Sequence, residues 1–173
     1  MLIKSFGAAI VGVDAITITI EINKSEGVGY YLVGLPDKAV QESHTRIDTA
    51  LRNSGIQPSR QKIVVNLAPA DLRKEGSAYD LPIAAGLLGL DGTINADLLN
   101  DYIIMGELSL DGKVNPIKGA LPFTIKAKEE GFKGIILPAE NADEASVVSG
   151  IDILPVNHVA ELIAFLKEEQ DIK

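Results

Sequence analysis

The chain has 173 residues, a formal net charge of −8, 46% hydrophobic and 23% charged residues, and no cysteine. That length and balance suit one soluble globular domain with its own core, and the missing thiols exclude disulfides, thiolate nucleophiles and zinc-thiolate sites. A sequence pI of about 4.7 sets the domain as a whole against phosphate backbones, and no segment reaches the roughly 20 apolar residues that span a bilayer, so no membrane partner is expected.

Residues 2 to 11 and 15 to 23 read as two strands joined at Val11-Gly12-Val13-Asp14. In the second, Ile16, Ile18, Ile20 and Ile22 alternate with Thr17, Thr19, Glu21 and Asn23. That period of two marks a half-buried antiparallel strand, and it also rules out a signal-peptide core for the apolar run that precedes it. A third strand covers 28 to 33 and ends at Gly34-Leu35-Pro36. Asp37 then caps a helix to about Ser54, with Val40, His44, Ile47 and Leu51 on one face and Gly55 as a left-handed terminator. His44 falls on that apolar stripe without a nearby ligand pair, and reads as a packed histidine with a local partner.

A fourth strand, 62 to 67, leads into Ala68-Pro69-Ala70-Asp71-Leu72-Arg73-Lys74-Glu75-Gly76-Ser77-Ala78-Tyr79-Asp80. A charged, glycine-bearing turn between a buried strand and a helix start is where functional groups collect. Ser77-Ala78-Tyr79-Asp80 fits a capping box, with Ser77 as cap and Asp80 reaching back. Leu81 to Leu90 is an apolar helix whose Ala84, Ala85 and Gly86 predict close packing on a sheet, and 95 to 100 is a short helical connector. Residues 102 to 110 read as one strand, Asp111-Gly112 as a tight hairpin turn and 113 to 116 as its return. A helix over 119 to 130 ends at Gly131, a buried strand covers 133 to 137, and Asn141 caps the next helix. After a short strand at 151 to 154, Asn157 caps a final helix carrying Val159, Leu162, Ile163 and Leu166, and 167–173 is a charged tail. Strands first and strand-helix alternation afterwards predict an α+β (two-layer α/β) domain over 1–173, with a mixed sheet and helices mainly on one face.

The chain has no G-x-x-x-x-G-K-[ST] and no G-x-G-x-x-G, so it carries neither a P-loop nor a dinucleotide fingerprint. Two distant histidines without cysteine give no basis for a metal site. A small phosphoryl-ligand site, known on related folds, would want the glycine-rich phosphate loop that is missing. Arg46, Arg52, Arg60, Lys62, Arg73 and Lys74 would form a basic strip for DNA only if their elements lay side by side; scattered, solvated charges on an acidic domain are the plainer reading.

Two segments resemble the proteolytic domain of Lon-type ATP-dependent proteases: Gly106-Glu107-Leu108-Ser109-Leu110-Asp111-Gly112-Lys113-Val114-Asn115-Pro116-Ile117-Lys118-Gly119 and Lys126-Ala127-Lys128-Glu129-Glu130-Gly131-Phe132-Lys133-Gly134-Ile135-Ile136-Leu137-Pro138-Ala139-Glu140-Asn141. Such proteases use a serine and a lysine whose lowered pKa lets it take the hydroxyl proton. By that resemblance the serine position falls on Ala78 and the lysine position on Leu121, and neither side chain can act. Ser77 lies one residue early and Lys118 about one helical turn early. A displaced Ser77/Lys118 dyad is the alternative reading, opposed by the need for nucleophile and base to meet within hydrogen-bond reach.

Together with Gly106 to Gly112, the segments Gly7-Ala8-Ala9, Gly34-Leu35-Pro36-Asp37-Lys38-Ala39-Val40-Gln41-Glu42-Ser43, Arg46-Ile47 and Val65-Asn66-Leu67-Ala68-Pro69-Ala70-Asp71-Leu72-Arg73-Lys74-Glu75-Gly76-Ser77-Ala78-Tyr79-Asp80-Leu81-Pro82-Ile83-Ala84 extend the likeness to nearly the full length. Over that length the chain resembles the N-terminal domain of the bacterial Mg-chelatase-like AAA+ ATPases of the YifB/ComM type. The resemblance implies a ribosomal-S5-domain-2-like, Lon-type fold without peptidase activity. It also implies a following AAA+ domain, outside this chain, that binds ATP and Mg. Implied partners are that ATPase domain, neighbouring subunits of a homo-hexamer, and DNA through the parent protein. The implied role is ATP-driven DNA branch migration during natural transformation, in the cytoplasm. On this reading the fragment holds no catalytic, cofactor or metal residue. Arg73, Lys74, Glu75, Ser77 and Asp80 form a candidate exposed contact surface.

Overall fold

The computed structural model describes residues 1–58 and 60–168. Two strands, β1 (Leu2–Val11) and β2 (Asp14–Ser25), form the long N-terminal hairpin, paired from Leu2–Asn23 to Val11–Asp14. β3 (Tyr30–Val33) and β4 (Lys62–Ala68) complete a four-stranded sheet in the order β1-β2-β4-β3, antiparallel except for the parallel β3–β4 pair. The isoleucine alternation sets its register: Ile18, Ile20 and Ile22 are fully buried, with Val65 and Leu67 of β4 on the same face. A one-residue slip would turn that whole set to solvent.

The next helices are α1 (Lys38–Gln41), α2 (Ser43–Asn53) and α3 (Asp80–Leu90). α3 lies on the isoleucine face, and a Cβ added at Gly86 would come within 2.3 Å of Ile22 Cδ1. The small residues therefore do what their pattern predicts, letting helix and sheet approach closely. The predicted helix from Asp37 breaks at Glu42 into α1 and α2. Its cap is real: Asp37 Oδ1 accepts the Val40 amide at 2.8 Å.

The predicted strand over 102 to 110 divides into β5 (Tyr102–Ile104) and β6 (Glu107–Leu108). At Met105 and Gly106 the chain leaves the sheet, because the Gly106 amide bonds the Ala78 carbonyl and the Gly106 carbonyl accepts the Leu81 amide. β6 pairs with β7 (Val114–Asn115) across the expected Asp111-Gly112 turn. β5 joins β8 (Gly134–Pro138) and β9 (Asp152–Val156) in a parallel sheet, whose central strand β8 is buried throughout, as parallel strands usually are. α4 (Ala120–Glu129) packs on β1 and β2, and α5 (Ala142–Ala145) and α6 (Val159–Leu166) close the C-terminal half. The α+β class read from element order holds. Residues 169–173 of the predicted charged tail lie outside the described residues.

Asn141 and Asn157 depart from their expected capping roles. Asn141 does not cap α5; its side chain bonds both the amide and the carbonyl of Ile117, each at 2.9 Å. α6 is capped by His158, not Asn157. His158 Nδ1 accepts the Ala160 amide at 3.0 Å, and the Glu161 carboxylate accepts the amides of Asn157 and His158. The ring's other nitrogen lies 2.8 Å from the Asp111 carbonyl, tying the hairpin to the helix. His158→Ala is expected to lose about 1 kcal/mol, read as a lower urea midpoint, and His158→Asn to recover part of it.

Candidate functional site

The turn after β4 is held from inside by a lysine. Lys74 is fully buried, and its ammonium donates to the carbonyls of Gly34, at 2.8 Å, and Pro69. Burial lowers its pKa, with Asp71 opposing. Its backbone pairs with the Gly34-Leu35-Pro36-Asp37 loop: the Lys74 amide bonds the Leu35 carbonyl and the Lys74 carbonyl accepts the Asp37 amide. Asp37, besides capping α1, takes the Gly76 amide at 3.0 Å. A buried ammonium needs such partners, and here they clamp two loops together. This corrects the exposed-surface expectation for Lys74.

Asp80 is corrected in the same way. Its carboxylate is fully buried in a two-pronged pair with Arg46, at 2.7 and 2.9 Å, and also accepts the Leu108 amide at 3.0 Å. Burial pushes the Asp80 carboxyl up, while Arg46 and the Leu108 amide oppose it. Asp80 cannot reach back to Ser77, so no capping box forms. The residue before α3 is Tyr79, without a side-chain cap, and Ser77 meets Asp80 only through its backbone carbonyl.

The Ser77 hydroxyl donates instead to the Glu107 carboxylate. The other Glu107 oxygen accepts from Asn115 Nδ2 at 3.1 Å, and the same Asn115 nitrogen reaches Ser109 Oγ at 2.8 Å. Ser77, Glu107, Asn115 and Ser109 thus form one polar chain running from the turn into the β6–β7 ribbon. Glu107 has no sequence signal as a partner, since 30 residues separate it from Ser77. Arg46 is likewise invisible as the partner of Asp80 until the fold joins α2 to α3.

Ser77 and Glu107 face a cleft of about 770 Å³. Its walls are the edge of β1 at Ala8 to Ile10, the Gly76–Tyr79 turn, and the Pro116–Lys118 loop, and Met105 and Phe123 line its apolar side. Ala78 lines the cleft with its methyl group. Leu121 is absent from the lining and gives its amide to the Glu144 carboxylate at 2.7 Å. Ser77 and Lys118 both line the cleft, so the fold does bring the alternative dyad residues into one space. Arg73 and Glu75 stay at the rim, 69% and 70% exposed and 3.4 Å apart.

The basic strip breaks up. Arg46, Arg52 and Arg73 pair with Asp80, Asp48 and Glu75; Lys74 is buried; Lys62 lies over the Tyr31 ring. Arg60 is exposed. His44 stacks on Tyr30 at 3.8 Å between ring centres, with its pKa lowered by burial against the opposing charge of Asp48. It is the packed histidine its position predicts. Among the described residues no cluster of three or more histidines, aspartates or glutamates could hold a metal ion, and no helix is long and apolar enough to cross a membrane.

A family model described as subunit ChlI of Mg-chelatase matches residues 20–141, well over half of the chain. YifB of Escherichia coli (strain K12) is 41% identical over 160 residues, which is 92% of this chain and 31% of YifB. Competence protein ComM of Haemophilus influenzae is 36% identical over 168 residues, 96% of this chain and 33% of ComM. The chain belongs to the Mg-chelatase-like family of YifB and ComM. It spans about one third of the length of these curated relatives. Lon protease 2 of Bacillus subtilis, 31% identical over 144 residues and 82% of this chain, is a weaker match that covers 26% of that protease.

Proposed function

We propose that this chain is a non-catalytic N-terminal accessory domain of a Mg-chelatase-like AAA+ ATPase, serving hexamer assembly and the engagement of DNA or another substrate. The observation that carries the reading is the furnished but unarmed cleft. Ala78 offers it a methyl group, Leu121 is not among its lining residues, and the Ser77 hydroxyl is engaged by Glu107. A carboxylate is a weak base toward an alcohol, so the Ser77–Glu107 contact supports a structural role for that serine. The name of ComM, a competence protein, supports a place in DNA uptake or processing for the parent. ATP and Mg belong, on this reading, to an ATPase domain outside the 173 residues.

The competing reading, a residual Ser-Lys peptidase, draws on one observation: Ser77 and Lys118 share the cleft. Fluorescein-labelled casein incubated with the chain separates the two. The expected result is no release of fluorescent peptides, together with a change of less than about 1 kcal/mol in unfolding free energy for Ser77→Ala. Casein cleavage that vanishes in Ser77→Ala would replace the accessory reading by the peptidase.

A further inference from the structure

The outer edge of β1 is open where it borders the cleft. Met1 and Lys24 exchange both backbone hydrogen bonds, at 3.0 and 3.2 Å. That places the odd residues of β1 in the bonded pairs with β2, and the register carries the pattern to Ala9–Ile16 and Val11–Asp14. The even residues therefore aim their amides and carbonyls away from β2, and β1 is an edge strand of its sheet. β5 and the following Met105 pack against β1 at Gly7, where an added Cβ would sit 2.9 Å from Met105 Sδ and 3.6 Å from the Ile104 carbonyl. The chain then turns away at Gly106. Beyond that point the Ala8 amide, although buried, finds only the Met105 thioether at 3.4 Å, a weak acceptor. Ala9 and Ile10 front the cleft, and Ile10 and Val11 are 45% and 46% exposed. An open edge of this kind is a template for another strand.

We propose that the cleft binds an extended polypeptide segment of a protein partner, which adds as a strand to β1 at Ala8–Val11. The proposal rests on the non-catalytic reading above and names the ligand class that the cleft takes. The incoming backbone bonds the amide and carbonyl of Ile10 and the carbonyl of Ala8. Side chains on one side of the segment lie against Met105 and Phe123. Those on the other meet Ser77 and the rim charges Arg73, Glu75 and Lys118. The opposite charges on the rim and the apolar lining suit an uncharged or mixed-charge peptide better than a phosphate backbone.

The register supplies a sharp test. Proline at position 10 deletes an outward amide and no β1–β2 bond, and an edge strand tolerates it there. Fluorescein-labelled, reduced and carboxymethylated α-lactalbumin serves as an unfolded-protein probe, read by anisotropy and on a gel, with fluorescein-labelled dT20 as the nucleic-acid arm. Ile10→Pro is expected to weaken probe binding at least about tenfold, and Ile10→Ala, which keeps the amide, less than about threefold. In wild type, a probe titration followed by amide NMR should shift Ala8–Val11 and Ser77–Ala78, a readout that stands even if Ile10→Pro fails to fold. No binding, binding untouched by Ile10→Pro, shifts confined to other elements, or binding of dT20 in place of the protein probe would overturn the proposal and leave the accessory reading standing. Binding with the expected sensitivity, accompanied by cleavage of the probe on the gel, would keep the groove and overturn the non-catalytic reading.

Discussion

Arg46→Met is expected to destabilise the domain by about 3–5 kcal/mol at neutral pH, the usual cost of stranding one partner of a buried ion pair. Asp80 is fully buried, while the Arg46 side chain retains 22% exposure, so removing the arginine leaves the carboxylate with only the Leu108 amide at that oxygen pair. Methionine keeps much of the stem volume, and the loss reports charge more than packing. Burial already holds the Asp80 carboxyl above its ordinary value, and the hydrogen bond to Arg46 is the largest opposing influence. In the variant the folded-state pKa rises further. A group whose pKa is higher folded than unfolded binds more protons when folded, so stability falls as pH rises through the interval between the two values. The deficit of Arg46→Met should therefore shrink as pH drops from 8 toward 5. Urea unfolding across that range tests it. Adding Asp80→Asn should recover roughly 2 kcal/mol or more by removing the stranded charge. A loss below about 1 kcal/mol that does not vary with pH would mean that the carboxylate is effectively solvated.

Gly34→Ala is expected to cost about 3 kcal/mol or more, because two separate penalties meet at one atom. The residue has φ of +108°, a conformation side chains avoid, and an added Cβ would sit 2.3 Å from the Leu67 carbonyl oxygen. Leu67 belongs to β4, held on both sides by β2 and β3, so the obstacle is backbone in a paired interior strand and cannot swing aside. Any shift of the loop also pulls the Gly34 carbonyl from the buried Lys74 ammonium. For a domain of this size the loss corresponds to a fall in Tm of roughly 6–12 °C, measurable by scanning calorimetry. Gly12→Ala is the control. Its φ is +67°, its Cβ would meet nothing within 4 Å, and about 1 kcal/mol covers the difference. Equal losses at the two positions would refute the steric argument.

Most departures from local pattern share one cause. Asp37, Gly55 and Gly131 behave as their local patterns predict, because cap and terminator partners lie within a few residues. Ser77, Asn141 and Asn157 carry equally good local signals and do not cap with their side chains. Ser77 and Asn141 are taken by Glu107 and Ile117, groups 30 and 24 residues away that only the fold brings near. Asn157 loses the position to the next residue, His158, whose ring also reaches Asp111 across the ribbon. Charge misleads for the same reason. Lys74 and Asp80 look like surface residues in a charged turn, yet each is buried among hydrogen-bond partners.

The alternation of β2, the small-residue face of α3, the β8 run and the Asp-Gly turn are short-range patterns, and the backbone periods of two and 3.6 suffice to place them on strands, helix and hairpin. Motif order along the chain carried the family. Three things needed the fold: the division of 102–110 between two sheets, the clamp of Lys74 on two loops, and the open edge of β1 beside the cleft. Each depends on which distant backbone groups compete for the same hydrogen bonds, and that competition is decided only when the chain has closed on itself.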